Sequence, residues 1–391
     1  MRDLYLLDPD VHFLNHGSFG ATPRPVFEEY QRWQRELERQ PVEFLGRRSD
    51  GLLDAARAAV AAHLGTERDN LVFVLNATHG VNIVARSLDF RPGDEVLTTD
   101  LEYGACDETW AYLAGKAGAK VVRMPVDLPV DDPATVVEAV WAGVTPRTRV
   151  LYLSHITSGT ALTLPVEELC RRARSAGILS VIDGAHAPGH VPVDLDALGA
   201  DVYTGNLHKW LSAPKGSGML YVRPEHQSWM ESTIVSWGWV AGSGHDRTDS
   251  QFVSRNQWQG TRDLAAFLAT PAAIDFQRAH DWPAVQERCH ALVTEARRRV
   301  CALTGLEPAS PEPAADAFPW YRQMVLAPLP PVDAVALKAR LYDEYRVEVP
   351  LTKWRDRDFV RVSVQAYNTE EDIDALLDGL ETLLPQVRTG A

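Results

Sequence analysis

The sequence predicts an α/β fold: a large domain on a mostly parallel sheet covered by helices, then a smaller α+β domain at the carboxyl end. Two observations carry this. Between residues 71 and 222, short apolar and β-branched runs alternate with helix-length segments, the pattern of strands joined by crossover helices. After a proline- and alanine-rich break at 309–314, the order becomes helix, strand, strand, helix.

Taken in order, 4–15 is a lead-in and 14–20 a glycine-hinged turn. Helices are predicted at 25–38 and at 51–64, the latter with Leu52, Ala55, Ala59 and Ala62 on one face. Seven strands follow, at 71–75, 95–99, 120–124, 149–153, 179–182, 202–203 and 219–222, with helices at 81–88, 132–140 and 166–175 between them. A long helix at 282–303 leads into the last part: helix 332–345, strand 347–349, a loop at 350–358, strand 359–364 and helix 370–384. Arg297-Arg298-Arg299 reads as a solvated helix face.

With 391 residues, 45% hydrophobic and 24% charged, the chain suits a soluble globular protein with a large core. A formal net charge of −14 argues against nucleic acid as a partner. Cys106, Cys170, Cys289 and Cys301 show no zinc-like spacing, so no metal is expected and the thiols read as free. No apolar stretch suits a membrane span or a leader, so the expected location is cytoplasmic, with no membrane partner.

The chemistry centres on Lys209, in the turn between the strands at 202–203 and 219–222. Its neighbours His208, Trp210 and Leu211 are bulky, and burial or a nearby cation would lower its pKa and make the amine a nucleophile that forms Schiff bases. The bland alternative is a solvated loop lysine. Asp183 ends the run at 179–182, and an acid at the carboxyl end of a buried α/β strand points into the ligand crevice. Such a lysine and such an aspartate are what pyridoxal phosphate needs, because the aspartate keeps the ring nitrogen protonated as an electron sink.

Two further sites follow from position. Ala77, Thr78 and His79 follow a strand and open a helix, whose unpaired first amides suit the cofactor phosphate; the alternative is a plain capped helix start. Arg361, alternating with Val360 and Val362, is placed to clamp a substrate carboxylate or to make a structural ion pair.

Asn15-His16-Gly17-Ser18-Phe19-Gly20, residues 181–189, His208-Lys209-Trp210-Leu211 and Gly260-Thr261-Arg262-Asp263 together resemble the class V aminotransferase group of pyridoxal-phosphate enzymes, of fold type I. The likeness spans nearly the whole chain and is nearest to the epimerase and C–S lyase branches. It implies a segment 1–20 over the active site, a large domain 21–265 around a seven-stranded type of sheet, and a small domain 266–391. It also implies that Tyr103 stacks on the cofactor ring, that His186 and His208 lie beside it, and that a polar group among His155, Thr157 and Ser158 bonds its 3′-oxygen. Asn15, His16 and Ser18 would contact substrate. Gly260-Thr261 would reach the neighbour's phosphate in a homodimer.

With an amino acid on the cofactor, Lys209 is the natural base for the Cα proton. A desulfurase needs a cysteine in the loop at 350–358, which has none. The favoured outcome is C–S cleavage of a cysteine S-conjugate, in secondary metabolism, because the histidine of Asn15-His16-Gly17 is closer to the C–S-cleaving relatives. The alternatives are racemisation or epimerisation, with Tyr103 or His16 as second acid, and a decarboxylating, oxidative or transaminating fate. A non-catalytic binding protein is disfavoured by the presence of both Lys209 and Asp183.

Overall fold

The computed structural model of the protein describes residues 1–391 except 242–247, 249, 313, 315, 316, 390 and 391. Its strands are β1 (His12–Phe13), β2 (Leu71–Val74), β3 (Glu95–Thr99), β4 (Lys120–Met124), β5 (Thr148–Ser154), β6 (Leu179–Gly184), β7 (Val202–Asn206), β8 (Gly218–Val222), β9 (Met324–Leu329), β10 (Val347–Glu348), β11 (Leu351–Trp354) and β12 (Arg357–Ser363). Seven form one sheet in the order β2-β8-β7-β6-β5-β3-β4. The pairs from β7 through to β4 are parallel, and β8 is antiparallel to both its neighbours.

Both faces of this sheet are buried except at the edge strand β4, and the two-residue period of the strands divides the core. Leu71, Phe73, Leu97, Leu151, Leu153, Ile182 and Tyr203 face one cluster. Val72, Val74, Val96, Val150, Tyr152, Val181 and Val202 face the other, with helices Ala77–Ser87 and Gly104–Lys116 against them. Continuous apolar strands are therefore what the fold requires.

The second sheet, β11-β12-β9, is antiparallel, helices Trp282–Thr304 and Ala334–Tyr345 pack beside it, and helix Glu370–Val387 packs on those helices and on β1 and β10. β1 pairs with β10, so the N-terminal segment is stitched to the carboxyl-terminal part of the chain. Among the described residues no helix is long and apolar enough to cross a membrane.

Four expectations are corrected. The loop expected at 350–358 is largely a hairpin: Leu351–Trp354 pairs with β12, and Arg355 takes the turn at φ +52°. Lys353 and the Arg-Asp-Arg turn made it read as polar, although Trp354 is buried. The hinged turn contains a short helix, His16–Phe19, ended by Gly20 at φ +72°. The helix expected to begin at 81 begins at Ala77, because the Asn76 side chain accepts the His79 N–H at 2.9 Å and caps it.

Fourth, Arg297 is not solvated. It is 1% exposed, its Nη1 donates to the Ser310 carbonyl at 3.0 Å, and its guanidinium lies 4.7 Å from the Tyr321 ring. Arg298 and Arg299 pair with Glu295 and Asp374 nearer the surface. Residues 309–312 and 314 hold no helix or strand, as expected of a loop, and Pro313 lies outside the described residues. The sequence reading has no counterpart for Gly104–Lys116, Thr270–Ala279 or β9. Gly104–Lys116 carries two glycines and several weak helix formers, so it stands on buried Cys106, Trp110 and Ala114 rather than on propensity.

Candidate active site

The carboxyl ends of β5, β6 and β7, with the residues just beyond β3, surround a cavity of about 210 Å³. Lys209, Asp183, His186, His208, Tyr103 and Ser158 are in its wall. Ligand sites in open α/β sheets lie at this end of the strands.

Lys209 follows β7 in a loop held by close backbone packing. A Cβ on Gly20 would meet the His208 carbonyl oxygen at 2.1 Å, and one on Gly189 the Leu211 nitrogen at 2.4 Å. The Lys209 carbonyl accepts from His16 Nε2 at 2.9 Å, and the Trp210 carbonyl from Gln277 Nε2 at 2.9 Å. The Lys209 amine lies 3.1 Å from His186 Nε2. Burial, reinforced by the Arg361 charge, lowers its pKa to about 8, against a smaller opposing pull from Asp183.

Asp183 is 2% exposed. One carboxylate oxygen accepts the Ala185 N–H at 2.9 Å; the other accepts the Tyr152 hydroxyl at 3.1 Å and the Cys106 thiol at 3.6 Å. Burial raises its pKa, while the Ala185 and Tyr152 donors and the Lys209 charge oppose that rise. His186 is held neutral, chiefly by burial and then by Lys209 and Arg361. His208 lines the cavity and its Nδ1 bonds the Ser217 carbonyl at 2.9 Å.

Arg361 donates to the Ser158 carbonyl at 2.6 Å and to Ser18 Oγ at 2.9 Å. Its buried Nε has no partner among the described residues. Asn15 joins this cluster, accepting from Ser18 Oγ at 2.5 Å and donating to Glu348 at 3.0 Å.

The predicted phosphate turn is partly spoken for. Ala77 N–H donates to Asn206 Oδ1 at 2.8 Å, His79 N–H to Asn76, and Gly80 N–H to the Asn76 carbonyl at 3.2 Å. Thr78 N–H is left as the first-turn amide without a partner among the described residues. The His79 ring is drawn to Thr233 Oγ1, 2.9 Å from its Nε2.

Other expected residues lie apart. His155 does not line this cavity: its Nδ1 bonds the Tyr203 hydroxyl at 2.9 Å, and the ring borders a separate cavity of about 930 Å³. His16 is fully buried, with Nδ1 at 3.0 Å from the Tyr367 hydroxyl and Nε2 on the Lys209 carbonyl, so it holds the lysine loop. Tyr103 is 47% exposed at the mouth, and Thr261 is exposed and outside the cavity. Tyr152 and Cys106, which meet Asp183, were not singled out in the sequence; the β5–β6 register that sets Tyr152 opposite Val181 would have been needed.

The donor set suits a small molecule with an electrophilic carbonyl for the amine, a basic ring nitrogen for the buried carboxylate and an anionic tail for the helix start.

Comparison with known proteins fits this chemistry. The family model described as Aminotransferase class-V matches residues 21–325. Isopenicillin N epimerase of Amycolatopsis lactamdurans is 39% identical, over 98% of this chain and 97% of its own. Putative L-cysteine desulfhydrase 2 of Oryza sativa subsp. japonica is 30% identical, over 96% of this chain and 85% of its own. Among solved structures, the cystine C–S lyase C-DES, with glycine covalently linked to its PLP cofactor, superposes at a TM-score of 0.80 with 22% identity, over 95% of this chain and 97% of its own.

Proposed function

The chain belongs to the aminotransferase class V family, and from that premise we propose that it is a pyridoxal-phosphate enzyme that takes the Cα proton from an amino acid and cleaves the C–S bond of a cysteine S-conjugate. The residues present fit the cofactor: an amine with a lowered pKa, a buried carboxylate bonded on both oxygens, and a free amide at Thr78. When bound, the cofactor supplies the electron sink that makes the Cα proton removable. Asp183 would keep its ring nitrogen charged, and the Thr78 amide would meet its phosphate, with Ala77 and His79 in the same turn. Tyr103 and Ser158, both in the cavity wall, would serve its ring face and its 3′-oxygen.

Arg361, whose buried Nε has no partner among the described residues, would turn its guanidinium from the Ser158 carbonyl to the substrate carboxylate, and Ser18 and Asn15 would orient it. Lys209 removes the Cα proton. The conjugate RS–CH2–CH(NH3+)–COO− and one water then yield the thiol RSH, pyruvate and ammonium. The single observation that carries this reading is the Lys209 amine beside neutral His186, the one amine among the described residues of the cavity wall, because elimination needs no acid on the opposite face of Cα.

A second reading, epimerisation of an amino acid, is favoured by Tyr103 in the cavity wall and by the 39% identity to the epimerase. Both His16 nitrogens are committed, to the Tyr367 hydroxyl and the Lys209 carbonyl, so in this second reading the second acid is Tyr103 and not His16. The same proposal has domains at 1–20, 21–265 and 266–391, a cytoplasmic homodimer in which Gly260-Thr261 serves the neighbour's site, and a role in secondary metabolism.

Incubation with cysteine S-conjugates is expected to release pyruvate and thiol in equal amounts. Deuterium uptake at Cα with loss of optical purity, and no pyruvate, would replace the first reading with the second. A protein that stays colourless with added pyridoxal phosphate would sink both.

A further inference from the structure

We infer that Trp210 is a positioning residue whose indole N–H fixes the tautomer of His186, making His186 a permanent donor toward the Lys209 nitrogen. The inference rests on the reading of Lys209 as the cofactor-binding amine.

The argument is one of donors and acceptors. An indole nitrogen only donates, and Trp210 Nε1 lies 3.2 Å from His186 Nδ1, so Nδ1 must accept. In a neutral imidazole the proton then sits on Nε2, the atom 3.1 Å from Lys209 Nζ. An ammonium there would set N–H against N–H, whereas a free amine offers its lone pair. The contact therefore favours the nucleophilic form of the lysine, and His186 cannot serve as a base toward it.

The indole is held to this task. Trp210 is fully buried, its ring stacks on His190 at 3.9 Å with 20° between planes, and its carbonyl is bonded by Gln277. His190 is itself fixed: Gln323 N–H donates to its Nε2 at 2.8 Å, so its Nδ1–H donates to the His186 carbonyl at 3.0 Å. His186 is thus gripped at ring and backbone, and the charged or titratable groups that act on it are Lys209, Arg361, His190 and His16.

The test uses the full chain labelled with 15N-histidine, after cofactor removal, with long-range proton–nitrogen spectra and His186→Gln to assign the signals. Wild type is expected to show His186 as the Nε2–H form alone. Trp210→Phe keeps a ring on His190 but removes the donor; it is expected to populate both tautomers and to slow formation of the visible band with pyridoxal phosphate about tenfold. A wild-type Nδ1–H pattern, or a single unchanged tautomer in Trp210→Phe, overturns the inference. Should Trp210→Phe not fold, the wild-type pattern decides in either direction. Failure of wild type to form any visible band refutes the cofactor reading and leaves the tautomer result to be judged on its own.

Discussion

Raising the pH from 7 to 9 tests the lowered pKa of Lys209 directly. Burial penalises the ammonium, and the Arg361 charge adds to that penalty, so the proton leaves at lower pH than on a solvated lysine. With a midpoint at about 8, the neutral fraction climbs from ~9% to ~90% over this interval, about tenfold. A solvated lysine titrating near 10.4 would climb from ~0.04% to ~4%, about a hundredfold. The assay is stopped-flow formation of the visible band when apoprotein meets pyridoxal phosphate, with a simple alkylamine as the reference and borohydride trapping to place the adduct on the Lys209 peptide. The rate should flatten above pH 9, and Arg361→Gln should move the whole curve to higher pH. A hundredfold rise with no plateau below pH 10 would refute the argument that the loop desolvates this amine.

Four other outcomes are expected. Asp183→Asn should still form the adduct at Lys209 but lose about a hundredfold or more in turnover, since the charge that stabilises the carbanion goes with the carboxylate; unchanged turnover contradicts this. Arg361→Lys keeps the charge but not the fork, so KM should rise about tenfold or more with kcat less affected, and an unaltered KM removes the carboxylate clamp. Tyr103→Phe should leave pyruvate release near wild type if elimination is the reaction, but abolish loss of optical purity if epimerisation is. Arg297→Ala should lower unfolding stability by about 2–4 kcal/mol in denaturant titration, through lost packing and the stranded Ser310 carbonyl, while Arg298→Ala stays within about 0.5 kcal/mol.

Periodicity made most of the large sheet legible. The strands at 95–99 and 120–124 and the helix at 166–175 agree residue for residue: the first is an apolar run buried throughout, the second is a short β-branched run at the sheet edge, and the helix has one apolar face of Val166, Leu169, Cys170 and Ala173. Of the hairpin at 351–363 the second strand is legible and the first is not: Lys353, Arg355 and Asp356 give 351–358 a polar look, and only the pairing of Leu351–Trp354 with β12 shows it as a strand. Arg297 was misjudged for the same reason: three consecutive arginines look alike until the helix is packed and one of them turns inward.

Taken alone, the sequence determined the α/β class and pointed to a pyridoxal-phosphate enzyme, since both depend on local patterns and on residue type at the ends of local elements; the roles proposed for Lys209, Asp183 and the turn at Ala77-Thr78-His79 start from the same signal. The tertiary structure alone decided what each side chain faces. It sent His155 to Tyr203 and His16 to the lysine carbonyl, brought Tyr152 and Cys106 onto Asp183, and set Trp210 against His186. Orientation of that kind comes from contacts between elements far apart in the chain, and burial is what turns each contact into a shifted pKa or a fixed tautomer.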